Sequence, residues 1–153
     1  MNDAAIIADR VTVIREKNLA LNDVSFAITP GKITGLIGPS GSGKTTLMRA
    51  IIGAQRISSG KLTVLGRPSG SLELRSRIGY VSQSPAVYAD LTVRENLHYF
   101  GTIMGVSSRE TQKTIRQVDL MPQIDQMAQS LSGGQLARLS LAVALLGGAE
   151  LLV

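Results

Sequence analysis

The segment Gly38-Pro-Ser-Gly-Ser-Gly43-Lys44-Thr45 constrains this chain more than any other. It satisfies G-x-x-x-x-G-K-[ST] in full, with a short apolar run before it and a helical pattern after it. Gly38, Gly41 and Gly43 let the backbone fold closely around a polyphosphate, and Pro39, Ser40 and Ser42 complete the loop. Successive N–H groups and the start of the following helix present positive potential to an anion. Lys44 is placed to reach the outer phosphates, the Thr45 hydroxyl to ligate magnesium, and Thr46 follows in the same turn. The expected ligand is a nucleoside triphosphate with Mg2+. No N-K-x-D guanine-reading segment occurs in the 153 residues, which tilts the base toward adenine and the ligand toward ATP.

Composition is compatible with one domain built around that loop. With 44% hydrophobic and 18% charged residues, the chain has material for a core and is neither disordered nor collagen-like. The absence of cysteine excludes disulfide frameworks, thiolate zinc sites and cysteine nucleophiles. A net charge of +5 suits nucleic acid, an anionic membrane surface or nucleotide phosphates. Aromatic residues at 3%, with no Trp, argue against a base-stacking platform, so no nucleic-acid partner is expected. The first ten residues carry an acid where a signal peptide carries basic residues. The longest apolar run, Leu139 to Ala149, contains Ser140 and two glycines and falls short of a membrane span. A cytosolic protein is expected, or one attached to a membrane through a partner.

Residues Ile6–Val13 and Ala20–Ile28 alternate apolar and polar as strands do, and Pro30-Gly31 marks a turn. Ile33–Ile37 reads as a strand buried on both faces. From Lys44, Leu47, Ile51 and Ile52 fall on one helical face that ends at Gly53. Lys61–Leu65 and Arg77–Val81 read as further strands. Beyond Gln83 the pattern turns helical over Thr92–Met104, and Ser107-x-x-Glu110 is a capping box opening a helix with Ile115, Val118 and Leu120, broken by Pro122. A third helix runs from Ser132 to Gly147-Gly148 with Leu136, Leu139, Val143 and Leu146 on one stripe, and Glu150–Val153 opens a core strand.

Leu131-Ser132-Gly133-Gly134-Gln135 is a second glycine motif at a helix start, with Ser132 at the cap and first-turn amides left bare for an anion. The loop at 38–45, Tyr80-Val81-Ser82-Gln83, and Leu-Ser-Gly-Gly-Gln at 131–135 together resemble the ATP-binding subunits of ABC transporters, over the whole chain. The resemblance implies an α/β P-loop NTPase fold: a RecA-like core, an antiparallel β subdomain and an inserted α-helical subdomain. The divisions are 1–85 for the β subdomain and loop core, 86–130 for the helical subdomain, and 131–153 for the signature helix and the start of a further strand. It implies that Gly38–Thr46 is the Walker A loop and that Gln83 contacts magnesium and the attacking water. Leu131–Gln135 then closes on the nucleotide of a second, head-to-tail subunit. An integral-membrane permease is the implied partner, on the cytoplasmic face. Ala86–Leu97 is similar to the corresponding stretch in subunits serving ABC-2-type exporters.

The sequence departs from that family at two places. Where the family stacks an aromatic residue on adenine, this chain has Val13-Ile-Arg-Glu-Lys17, with Arg15 either stacking on the base or lying solvated. Leu151–Val153 resembles the start of the Walker B strand, and that strand's aspartate, the acid after it, the D-loop and the switch histidine do not follow. His98 does not replace that histidine, because it lies in the helical subdomain. The residues present are therefore expected to bind nucleotide without hydrolysing it, in a chain of marginal stability. Two other readings stay open: a non-transport ABC ATPase, supported only by the basic charge, and a non-enzymatic fragment that binds a permease or a full-length subunit.

Overall fold

A computed structural model describes residues 4–153. Met1–Asp3, which formed part of the targeting-signal reading, lie outside them. The chain divides into two compact units, one running to Arg75 and the other Ser76–Val153.

The first unit is an antiparallel sheet carrying one helix. β1 (Ile6–Arg15) pairs with β2 (Asn18–Ile28) and, on its other edge, with β3 (Ser59–Val64), which pairs with the short β4 (Arg67–Pro68). The order is β2-β1-β3-β4. Alternation does the sorting: Ile6, Ala8, Val11 and Val13 of β1 and Leu62 and Val64 of β3 are buried. Pairing slips between Ala8 and Val13, with Arg10 at a positive φ of 48°. Side chains satisfy the backbone freed there: Ser25 Oγ accepts from the Arg10 N–H, Thr12 Oγ1 from Asp23, and Ser58 Oγ from Ile14. Helix α1 (Lys44–Ile51) lays Leu47, Ala50 and Ile51 on β2 and β3.

Ile33–Ile37 is not the buried strand its apolarity suggests. The segment is irregular, Ile33 and Ile37 are 104% and 96% exposed, and neither sheet takes it in. A strand exists only where a neighbour completes its hydrogen-bond ladder, and apolar side chains cannot substitute for that neighbour.

The second unit is helical around α2 (Val93–Ile103), α3 (Ser108–Gln117) and α4 (Gly133–Leu145), with a parallel pair of two-residue strands, β5 (Ile78–Gly79) and β6 (Leu151–Leu152). Its core joins Val93 and Leu97 of α2, Ile115 of α3, Leu139 and Ala142 of α4, and Val118, Leu120 and Leu146 at helix ends. A Cβ at Gly79 would collide with the Ala144 carbonyl oxygen, so glycine is what lets α4 lie against β5. Arg77 grips Glu150 through two hydrogen bonds, Nε to Oε1 at 2.5 Å and Nη2 to Oε2 at 2.8 Å, where β5 and β6 begin. That guanidinium holds the Glu150 carboxyl below the ordinary range. Among the described residues no helix is long and apolar enough to cross a membrane.

All three helices of this unit start on a capping box. Thr92 pairs with Glu95, Ser107 with Glu110, and Ser132 with Gln135. The Glu95 carboxylate accepts from the Thr92 N–H and hydroxyl, both at 2.8 Å, and the Glu110 carboxylate likewise accepts from Ser107. These bonds hold both carboxyls below the ordinary glutamate range. A depressed folded-state value means that the caps contribute fully above the unfolded-chain pKa and lose their contribution as pH falls through the folded one. Helicity followed by circular dichroism is therefore expected to fall on acidification below the ordinary glutamate range. In the Glu95→Gln/Glu110→Gln double variant that acid limb is expected to flatten. An unchanged limb would place the acid sensitivity elsewhere.

Candidate functional site

The phosphate loop is built on the first unit by a glycine that no other residue replaces without strain. Gly43 caps α1 in the left-handed region at φ 89°. A Cβ there would stand 2.5 Å from the Ala20 carbonyl oxygen and 2.7 Å from Leu21 Cδ2, both on β2. The loop therefore sits directly on the hairpin. Gly41 also has positive φ, 81°, and a Cβ on Gly38 would meet Ser42 Oγ at 2.8 Å.

Lys44 turns back across the loop that precedes it. Its ammonium donates to the carbonyl oxygens of Gly38 and Pro39, each at 2.6 Å, and to Ser42 Oγ at 3.4 Å. Three donors thus meet three acceptors, holding a full positive charge over the loop. Thr46 is buried as part of the α1 base, whereas the Thr45 hydroxyl stands on the exposed side. Arg15, Ala20, Ser40, Gly41, Gly43, Lys44, Thr45 and Thr46 line an open cavity of about 390 Å³. That cavity gathers backbone amides, two cations and an exposed hydroxyl: the chemistry of a polyphosphate site. The Thr45 hydroxyl is a hard oxygen donor suited to sharing a magnesium ion with phosphate oxygens.

The other candidates belong to the second unit. Gln83 is exposed, in a bend that follows β5. Past it the chain is clamped by Asn96, a fully buried amide on α2 that was not singled out from the sequence. Its Oδ1 accepts from the Tyr88 N–H at 2.8 Å, and its Nδ2 donates to the carbonyls of Tyr88, Leu91 and Thr92 at 2.9, 3.2 and 3.0 Å. The available signal was a polar residue on the apolar face of α2, between Val93 and Leu97. In the signature, Leu131 packs against the helical core while Gly133 and Gly134 face open space. Gln135 completes the cap: its Oε1 accepts from the Ser132 N–H at 2.8 Å and its own N–H donates to Ser132 Oγ at 3.3 Å. His98 is exposed on α2. No group of three or more His, Asp or Glu side chains that would hold a metal occurs among the described residues.

An α/β fold with a glycine-seated, lysine-crossed loop at a helix start defines a P-loop nucleotide-binding protein. The family model of ABC transporters matches residues 21–153, and the chain belongs to that family. The chain is 40% identical over 141 residues to the Nod factor export ATP-binding protein I of Rhizobium leguminosarum bv. viciae, covering 88% of this chain and 45% of the relative. The protein of the same name from Sinorhizobium fredii is 36% identical over 99% of this chain and 46% of its own length. The chain thus spans about half the length of these curated relatives. Among solved structures, CbiO1 from Clostridium perfringens superposes with a TM-score of 0.88 at 23% identity, over 99% of this chain and 64% of that one. A structure described as the ATP binding subunit of an ABC transporter superposes with a TM-score of 0.81, also at 23% identity, over 97% of this chain and 64% of its own. These superpositions confirm the fold class read from the sequence.

Replacing Gly43 by Ala is expected to weaken both the fold and the site. The left-handed backbone alone costs a non-glycine residue about 1–2 kcal/mol, and the clash with Ala20 adds to it. Gly31, at φ 71° with nothing within 4 Å of its Cβ position, is the control. Thermal unfolding should place Gly43→Ala well below Gly31→Ala, and only the former should lose affinity for ATP. Equal effects would show that the close seat on β2 is unimportant.

Proposed function

We propose that this chain is the ATP-binding part of an ABC exporter subunit, in which nucleotide bound at Gly38–Thr46 is coupled to transport through a partner permease. The phosphate loop carries the reading: Lys44 is held over a cavity of backbone amides with the Thr45 hydroxyl beside it. Export is supported by the relatives, which are named for export of Nod factor, and by the stretch Ala86–Leu97. The roles follow the same reading. Gly38–Lys44 bind the phosphates, and Thr45, with Gln83, serves the magnesium. Leu131–Gln135 presents its open glycine amides to the nucleotide of a second subunit paired head to tail. Residues 1–85, 86–130 and 131–153 serve as loop core, permease-facing helical subdomain and signature segment. The assembly sits on the cytoplasmic face of the membrane.

Binding and turnover separate in this proposal. Magnesium, when bound, neutralises charge on the phosphates. The chain's own residues hold the triphosphate by amides and Lys44, and among the described residues no carboxylate lines the cavity to position an attacking water. Titration of residues 1–153 with fluorescent ATP is expected to show Mg-dependent binding that Lys44→Ala weakens at least about tenfold, the loss of a charge-assisted contact. Phosphate release should stay at the level of the Lys44→Ala control. Equal affinities would remove the phosphate site, and turnover above control would show that another acid reaches the nucleotide.

A further inference from the structure

Helix α3 turns Thr114 and Ile115 into the helical unit and leaves Arg109, Lys113 and Arg116 exposed. These three follow one another at i, i+4 and i+7, so their charges lie along one face of the helix. None of them forms an ion pair among the described residues, whereas Arg94 of α2 is paired with Asp125 and Arg77 with Glu150. The helix contains one acid, Glu110, and its carboxylate is turned back on the Ser107 N–H and hydroxyl at 3.2 and 2.9 Å. Asp119 lies two residues beyond the end of the helix. Like charges at this spacing repel one another. Arg109 also stands in the first turn, where the helix dipole disfavours a cation, and only Arg116 is at the end that favours one. The stripe therefore works against its own helix, and an anion from outside would reverse the sign of that cost.

The stripe has apolar neighbours. The chain enters α3 from the end of α2, where Ile103 and Met104 are 65% and 49% exposed. Ile103 and Gln112 line the groove between α2 and α3, and Gln112 also borders the cationic stripe. Cations beside exposed aliphatic side chains suit a layered partner, with negative headgroups outside and hydrocarbon beneath. A nucleic acid or an acidic peptide in water would use the charges and leave the aliphatic side chains wet.

We propose that α3 docks on an anionic phospholipid surface, with Arg109, Lys113 and Arg116 against the headgroups and Ile103 and Met104 entering the boundary beneath them. The contact is direct, in addition to any attachment through a permease, and it does not depend on the nucleotide site.

The test is flotation of residues 1–153 with phosphatidylcholine vesicles, pure or carrying about 30% phosphatidylglycerol. Binding is expected only to the anionic vesicles and should fall as salt rises toward about 0.5 M. Arg109→Gln/Lys113→Gln/Arg116→Gln should bind at least about tenfold more weakly, since each cation at such a surface contributes a factor of about five. Lys17→Gln/Lys32→Gln/Lys61→Gln removes the same charge from exposed positions of the first unit, and should stay within about twofold of wild type. Arg109→Lys/Arg116→Lys keeps the charge and should keep the binding, which guards against a loss caused by misfolding. Ile103→Ser/Met104→Ser should bind severalfold more weakly even at low salt. Equal losses in the two glutamine triples would reduce the effect to net charge and overturn the proposal, as would no binding to anionic vesicles or its loss in the lysine variant. Vesicle binding untouched by Ile103→Ser/Met104→Ser would make the stripe a site for a soluble polyanion and overturn the bilayer as its partner.

Discussion

The close seat of Gly43 on the β2 backbone is the constraint from which the site follows. A residue without a Cβ lets the chain turn left-handed against the Ala20 carbonyl and enter α1 at once. That turn aims the first amides of α1 into the cavity and puts Lys44 where its ammonium reaches back to Gly38 and Pro39. The helix in turn is held by Leu47, Ala50 and Ile51 on the sheet. Sheet, turn, lysine and cavity are thus one mechanical chain. The hairpin does double service, since its far side brings Arg15 to the same cavity.

The second unit solves a different problem, which is how to hold short helices and bare loops in place. It does so with polar chemistry at helix starts: a capping box on each of its three helices and the four hydrogen bonds of Asn96. Asn96 is not left unsatisfied as a buried polar group, because both its amide oxygen and its amide nitrogen are hydrogen-bonded. Its effect is to fix Tyr88–Thr92, the stretch through which the chain passes from Gln83 into α2. At α4 the same device leaves two glycines in the first turn without side chains over their amides. The residue that completes that box, Gln135, belongs to the signature itself.

Much of this was legible in the sequence, for reasons that differ from residue to residue. Local rules located what local interactions build: Ser107 and Glu110 mark the start of α3, Ser132 that of α4, and Gly147-Gly148 its end. The Thr92–Met104 helix lies where its apolar spacing puts it. The box between Ser132 and Gln135 was equally readable from its spacing. What failed was what depends on partners distant in the chain. Ile33–Ile37 has the composition of a core strand and no ladder to join. Arg77–Val81 was read as a strand of ordinary length and contributes only Ile78 and Gly79 to one. The bulges of β1 and the clamp of Asn96 on a loop several residues back are invisible to periodicity. For Arg15 the sequence left two readings open, stacked or solvated, and the structure places the residue on the wall of the loop cavity.

The central claim is that a triphosphate is gripped by the backbone of Gly38–Thr46. Backbone amide chemical shifts, recorded by NMR on isotopically labelled protein during titration with Mg-ATP, test it residue by residue. The account predicts saturable shifts centred on the amides of Ser40 to Thr46, with smaller ones at Arg15 and Ala20. Loop amides that stay unmoved while ATP saturates another surface would contradict it.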